Sequence, residues 1–188
     1  MATNTPSSLP DPGTLSALPE PTLTAVLDLL FEPSPDLHAL AVPTLRAITF
    51  ASYPELIDTL RDQLLAIAQE VHPDPAACRP LLNILGSHPR LGEKKVDSVQ
   101  SAAEQAQLRS GGETEAAKLA ALNAEYEAKF PGLRYVVFVN GRSRDVIMEN
   151  MRSRIDRGDM ALEEKEAINA MCDIAKDRAQ KLLNATAS

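Results

Sequence analysis

His88 sits in a Gly86-Ser87-His88-Pro89 loop, and histidine is the side chain whose proton equilibrium lies nearest neutral pH. Pro89 holds the residue before it in extended backbone, which fixes the direction of the imidazole. Thirteen residues further on, Ser101, Glu104 and Gln105 stand three and four apart, the spacing of a single helix face. A loop imidazole opposite a helical carboxylate is an acid/base arrangement. The same polar spacing also describes a solvated helix face, and most loop histidines are simply exposed, so residue type alone leaves both readings open. A third residue, Arg178, falls in phase with Met171, Ile174, Ala175 and Leu182 on the predicted last helix. A charge in an apolar stripe needs a partner or an anion, unless it snorkels out at the end of the stripe. The other histidines carry less: His38 lies on a helix with apolar neighbours and His72 lies among prolines, and both read as structural or surface residues.

These residues have to be positioned by helices. Leu23, Val26, Leu27, Leu30 and Phe31 form one helical stripe, and Leu56, Ile57, Leu60, Leu64, Ile67 and Ala68 form another. Ser34-Pro35 and Ser52-Tyr53-Pro54 are helix starts, and Pro43 is expected to split the stretch between them into two short helices. Ala76 to Leu85 reads as a helix broken or restarted at Pro80 and ending in Gly86. Helices over about 97–109 and 112–129 are separated by Gly111-Gly112, and a further helix reaches about Ile155. After a break near Gly158, a last helix covers about 162–183. Tyr135 to Val139 is the one strong β-run. A strand without a partner makes no sheet, so it is expected to be an extended segment whose backbone is satisfied by other groups.

The fold class is therefore all-α: a single-domain bundle of about eight or more helices with one short extended segment near 135–139. Residues 1–19, rich in Pro, Ser and Thr, are expected to form a flexible arm, and residues 20–184 the domain. Aromatic residues are only 4% of the 188, which favours aliphatic helix packing over a β-sandwich. A net charge of −7 argues against a phosphate-binding surface, so no nucleic-acid partner is expected. No apolar run spans a bilayer and the N-terminus lacks a signal-peptide pattern, so the expectation is a soluble cytoplasmic protein with no membrane partner. Cys78 and Cys172 match no ligand spacing, and neither a metal motif nor a phosphate loop is present. What the residues leave is cofactor-free acid/base chemistry on a small anion, or no chemistry.

Five segments in order carry a resemblance: His88-Pro89-Arg90-Leu91-Gly92; Ser101-x-x-Glu104-Gln105; Leu122-Asn123-x-x-Tyr126-x-x-Lys129-Phe130; the run from Tyr135 to Val139; and Ile174-Ala175-x-x-Arg178. Together, from about Phe31 to Leu183, they resemble the OHCU decarboxylase family. The resemblance implies decarboxylation of 2-oxo-4-hydroxy-4-carboxy-5-ureidoimidazoline (OHCU) to (S)-allantoin in urate degradation. It implies no cofactor, because the substrate carries its own C=N electron sink. Carried over by position, it makes His88, Glu104 and Arg178 catalytic. Pro89, Ser101, Ala102, Ala103, Glu104, Gln105 and Tyr135, Val136, Val137, Phe138, Val139 would line a pocket for a small anionic ureido-imidazoline. It further implies a homodimer. The sequence departs from the family pattern at Pro131-Gly132-Leu133-Arg134, which shifts the register before Tyr135, and at Arg90, where the family has Asp. It also lacks a Ser-Lys-Leu-type peroxisomal address. Two other readings remain: a helical interaction module that has lost the activity, and a lyase or hydrolase acting on another ureido acid.

Overall fold

Serine and proline set where the helices begin. Ser34 Oγ accepts the Leu37 N–H and Ser52 Oγ accepts the Glu55 N–H, each at 3.3 Å, with Pro35 and Pro54 in the first turns. In the computed structural model, which describes residues 8–70, 79–93, 101 and 113–186, these caps open α2 (Pro35–Ala47) and α3 (Tyr53–Gln69). A 3-10 turn (Pro12–Ala17) and α1 (Glu20–Leu30) precede them. α4 (Arg79–Leu85), α5 (Glu113–Lys129), α6 (Arg144–Arg157) and α7 (Met160–Thr186) follow, and the described residues contain no strand. The protein is all-α, as its composition indicates.

α7 is the spine. Its 27 residues span about 40 Å and pack along α3, with α1 and α4 against other parts of its length. Its buried face carries Ala167, Ile168, Met171, Cys172, Ile174, Ala175, Arg178 and Ala179. α6 stops at Gly158, whose φ of 64° is the left-handed conformation that glycine adopts without penalty. His38 on α2 bonds Asp28 on α1 at 2.6 Å, which ties that helix pair together.

Two expectations are corrected. α2 is continuous through Pro43, not split. Pro43 lies on the exposed side, while Leu37, Ala41, Thr44 and Leu45 bury both halves of the helix and offset the lost hydrogen bond. Within the stretch expected to be a flexible arm, residues 8–19 are packed. Leu9 and Leu15 are buried, and the Tyr53 hydroxyl donates to the Pro10 carbonyl at 2.7 Å. The low apolar content of the stretch hides the fact that two of its three leucines, Leu9 and Leu15, are enough to dock it. Of the stretch 76–85, residues 76–78 lie outside the described residues, and α4 has Pro80 in its first turn, where a missing N–H costs nothing. His72, Cys78 and the Gly111-Gly112 break lie outside the described residues.

Candidate active site

α4 ends when Gly86 N–H bonds Leu82 O at 2.7 Å and the Ser87 hydroxyl bonds Ile84 O at 2.7 Å, which turns the chain into the His88 loop. Gly86 is required here. A Cβ would stand 2.9 Å from Leu82 O and 3.0 Å from Gly132 O, so two backbones meet at this point. The loop is then fastened to α5 from both sides. Asn123 Nδ2 donates to Leu91 O at 2.9 Å, and the Arg90 guanidinium holds Glu127 with two bonds of 2.6 and 2.7 Å. Arg134 Nη1 closes the loop by donating to His88 O at 2.8 Å. Arg90 and Arg134 are thus both used to hold the histidine loop.

The imidazole itself is 5% exposed, and its Nε2 has no hydrogen-bond partner among the described residues. Burial pushes its pKa down to about 4. The Glu32 carboxylate works against that shift, and the Arg178 and Arg134 cations add to it. At neutral pH the ring is uncharged.

Beside it, Arg178 Nη2 donates to Glu32 Oε1 at 2.8 Å and to Ser101 Oγ at 2.8 Å, and Nη1 reaches Leu30 O at 3.4 Å. Ser101 in turn donates to Glu32 Oε1 at 2.5 Å. All three side chains are buried. Burial disfavours the charged form of Glu32, but the Arg178 cation and the Ser101 hydroxyl outweigh it and hold the carboxyl below its usual range. The site therefore joins an uncharged base to a fixed ion pair from three parts of the chain.

Residues 135–139 form neither helix nor strand. Arginines satisfy much of the segment: Arg154 Nη1 donates to Val136 O at 3.1 Å, and Arg142 donates to the carbonyls of Phe138 and Val139. Tyr135 is anchored through its hydroxyl to Asn150 Oδ1 at 2.6 Å. Behind the segment, Glu163 accepts from Tyr126, Arg154 and Arg157, and the Arg154 guanidinium lies 4.8 Å from the Tyr135 ring centre.

The structure thus brings together His88, Ser101 and Arg178, and it places Pro89 beside them in the chain. Tyr135 and Val136 are buried, while Val137, Phe138 and Val139 are half-buried. Ala102, Ala103, Glu104 and Gln105 lie outside the described residues. Arg178 does not snorkel; at 3% exposure it is paired. Glu32 was missed in the sequence, yet a signal existed. It is the acid that breaks the apolar run Leu29-Leu30-Phe31 two residues past a helix end, and Arg178 required a partner. Among the described residues no cluster of three His, Cys, Asp or Glu side chains could hold a metal ion, and no helix is long and apolar enough to cross a membrane.

Fold and site define an all-helical protein in which a buried neutral histidine adjoins an arginine–carboxylate pair. The OHCU decarboxylase family model matches residues 16–180, and the chain belongs to that family, which makes it a carboxy-lyase of urate degradation. Among solved structures it is similar to a crystal structure of OHCU decarboxylase in the presence of (S)-allantoin. The TM-score is 0.57 at 18% identity, covering 84% of this chain and 96% of that one, a likeness of fold. No curated protein matches the sequence significantly.

Proposed function

We propose that this site decarboxylates OHCU to (S)-allantoin, with His88 as the general base and Arg178 as the group that holds developing negative charge. The observation that carries the assignment is the buried Nε2 of His88, left without a partner in a site whose other described polar groups are bonded. An uncharged imidazole can accept the proton of the substrate's C4 hydroxyl. As the C4–carboxylate bond breaks, its electron pair forms the C4–C5 double bond, and the C=N pair moves onto nitrogen. The ring nitrogen and C5 each then take up a proton, one returned from His88 and one from solvent, while the hydroxyl oxygen becomes the carbonyl, giving allantoin and CO2. The fixed Arg178 guanidinium stabilises the anion formed in between. Glu104 would hold the ureido and ring N–H groups, with Gln105, Pro89 and the 135–139 backbone shaping the pocket. The Val136, Phe138 and Val139 carbonyls are already committed to arginines, so the segment would offer the ligand its N–H groups. A cytoplasmic homodimer belongs to the same reading, and sedimentation of the pure protein tests the dimer.

The test supplies freshly generated OHCU and follows circular dichroism. Spontaneous decay gives racemic product, so an enzyme-dependent optical signal supports the reading. Replacing His88 with Asn should lower turnover by about 10²- to 10⁴-fold in a folded protein. Racemic product at the uncatalysed rate from folded wild-type protein would overturn it.

A further inference from the structure

We infer that Glu32 is a positioning residue for this reaction: its carboxylate fixes the Arg178 guanidinium and cancels part of its charge in the free site. The inference rests on the decarboxylase reading above. Glu32 follows Phe31, the cap residue after α1, is 5% exposed, and directs a single oxygen, Oε1, at both Arg178 and Ser101. Pairing of this kind holds a planar guanidinium in one orientation, which a freely rotating side chain would have to lose entropy to reach.

Charge balance gives the pair a second role. The substrate enters as a carboxylate and loses that charge as neutral CO2, while negative charge moves into the ring. An unopposed arginine would grip the ground-state carboxylate and raise the barrier to its loss, because only interactions stronger in the transition state accelerate the reaction. With Glu32 charged, Arg178 charged and His88 uncharged, these three groups sum to zero. The cation is then available for the ring anion without holding the departing group too tightly. Ser101, bonded to both partners, locks the pair.

The groups that act on His88 in the described structure are Glu32 from the end of α1, Arg178 from α7 and Arg134 from the segment after α5. Removing the Glu32 charge takes away the one contribution among them that favours the imidazolium, so the acid limb of the activity profile moves to lower pH.

The experiment measures steady-state kinetics of wild type, Glu32→Gln and Glu32→Asp across pH, with folding checked by circular dichroism. Wild type is read first: absence of turnover there overturns the decarboxylase reading and this inference with it. With active wild type, Glu32→Gln should lower kcat by about a hundredfold while KM falls, and its acid limb should shift downward. Glu32→Asp, which keeps the charge, should recover part of kcat at a wild-type KM. A merely structural glutamate would lose kcat in proportion to folded fraction, with KM and the pH limb unmoved, and that result overturns the inference. So do wild-type kinetics in Glu32→Gln. If Glu32→Gln fails to fold, Glu32→Asp decides: a kcat per folded molecule clearly below wild type supports the inference, and a kcat that falls only in proportion to folded fraction, or wild-type kinetics, overturns it.

Discussion

Two arginine–carboxylate clusters are buried along α7, fifteen residues or about 22 Å apart, and they differ in completeness. Near the start of the helix, Glu163 is fully buried and both its oxygens are used: Oε1 by Tyr126 and Arg154, Oε2 by Arg157. Arg154 in turn holds Val136 O and lies over Tyr135. Near the far end, Arg178 and Glu32 are buried to a similar depth and also paired, but the ring of His88 beside them keeps a buried nitrogen with no described partner. Burial and charge do not separate these clusters. What separates them is that the first saturates its hydrogen bonds, while the second carries a desolvated acceptor or donor at a cost of about 1–3 kcal/mol. A fold keeps such a group where a ligand supplies the missing partner.

The comparison breaks most visibly at Glu163. Glu163→Ala takes the acceptor from the Tyr126 hydroxyl and leaves the buried Arg154 cation only the half-buried Glu166 carboxylate, 3.1 Å away, and should destabilise the protein by about 3–5 kcal/mol. Urea unfolding measures it. A loss below about 1 kcal/mol would mean that the saturated cluster is not structural, and the distinction between the two regions would fail.

The second effect belongs to His88 and sharpens the contrast through pH. Its native pKa of about 4 lies below the unfolded value of 6.5, so the unfolded chain takes up this proton first as pH falls. Its contribution to stability is therefore whole above pH 6.5 and lost as pH drops towards about 4, by up to about 3 kcal/mol. His88→Leu removes both the proton and the unpaired nitrogen. The variant should be inactive, and its unfolding free energy should be flatter between pH 6.5 and about 4.5 than that of wild type. Parallel slopes would place the imidazole in contact with water. Glu32 adds a separate loss only at lower pH, in the carboxylate range, because its native pKa is also depressed.

Much of this contrast was legible in the sequence, and the rest was hidden for physical reasons. The α1, α3 and α7 stripes, the Ser34 and Ser52 caps and the Gly158 stop follow from local spacing, and the structure has each of them. Arg178 was readable as buried because helical phase puts it among apolar residues. Glu32 was not readable as its partner, because 146 residues separate them and only tertiary packing makes the pair. Pro43 misled because the propensity cost is local, whereas the burial that offsets it is not. The Arg154–Glu163 pair was invisible for another reason: on polar α6 an arginine looks solvated until the neighbouring helix covers it.

The smallest expected effect tests the link between the two clusters. The segment after α5 touches the saturated cluster through Val136 O and the His88 loop through Arg134, so it is the physical bridge between them. Arg134→Met keeps the length of the side chain but removes its bond to His88 O, which should cost about 1 kcal/mol of stability. It also removes one of the cations that disfavour the imidazolium, so the His88 pKa should rise and the acid limb of kcat should move to higher pH, opposite to the shift in Glu32→Gln. A stability loss with an unmoved limb would make Arg134 a tether only. A moved limb would show that Arg134 tunes the base, and that the bridge carries charge as well as geometry.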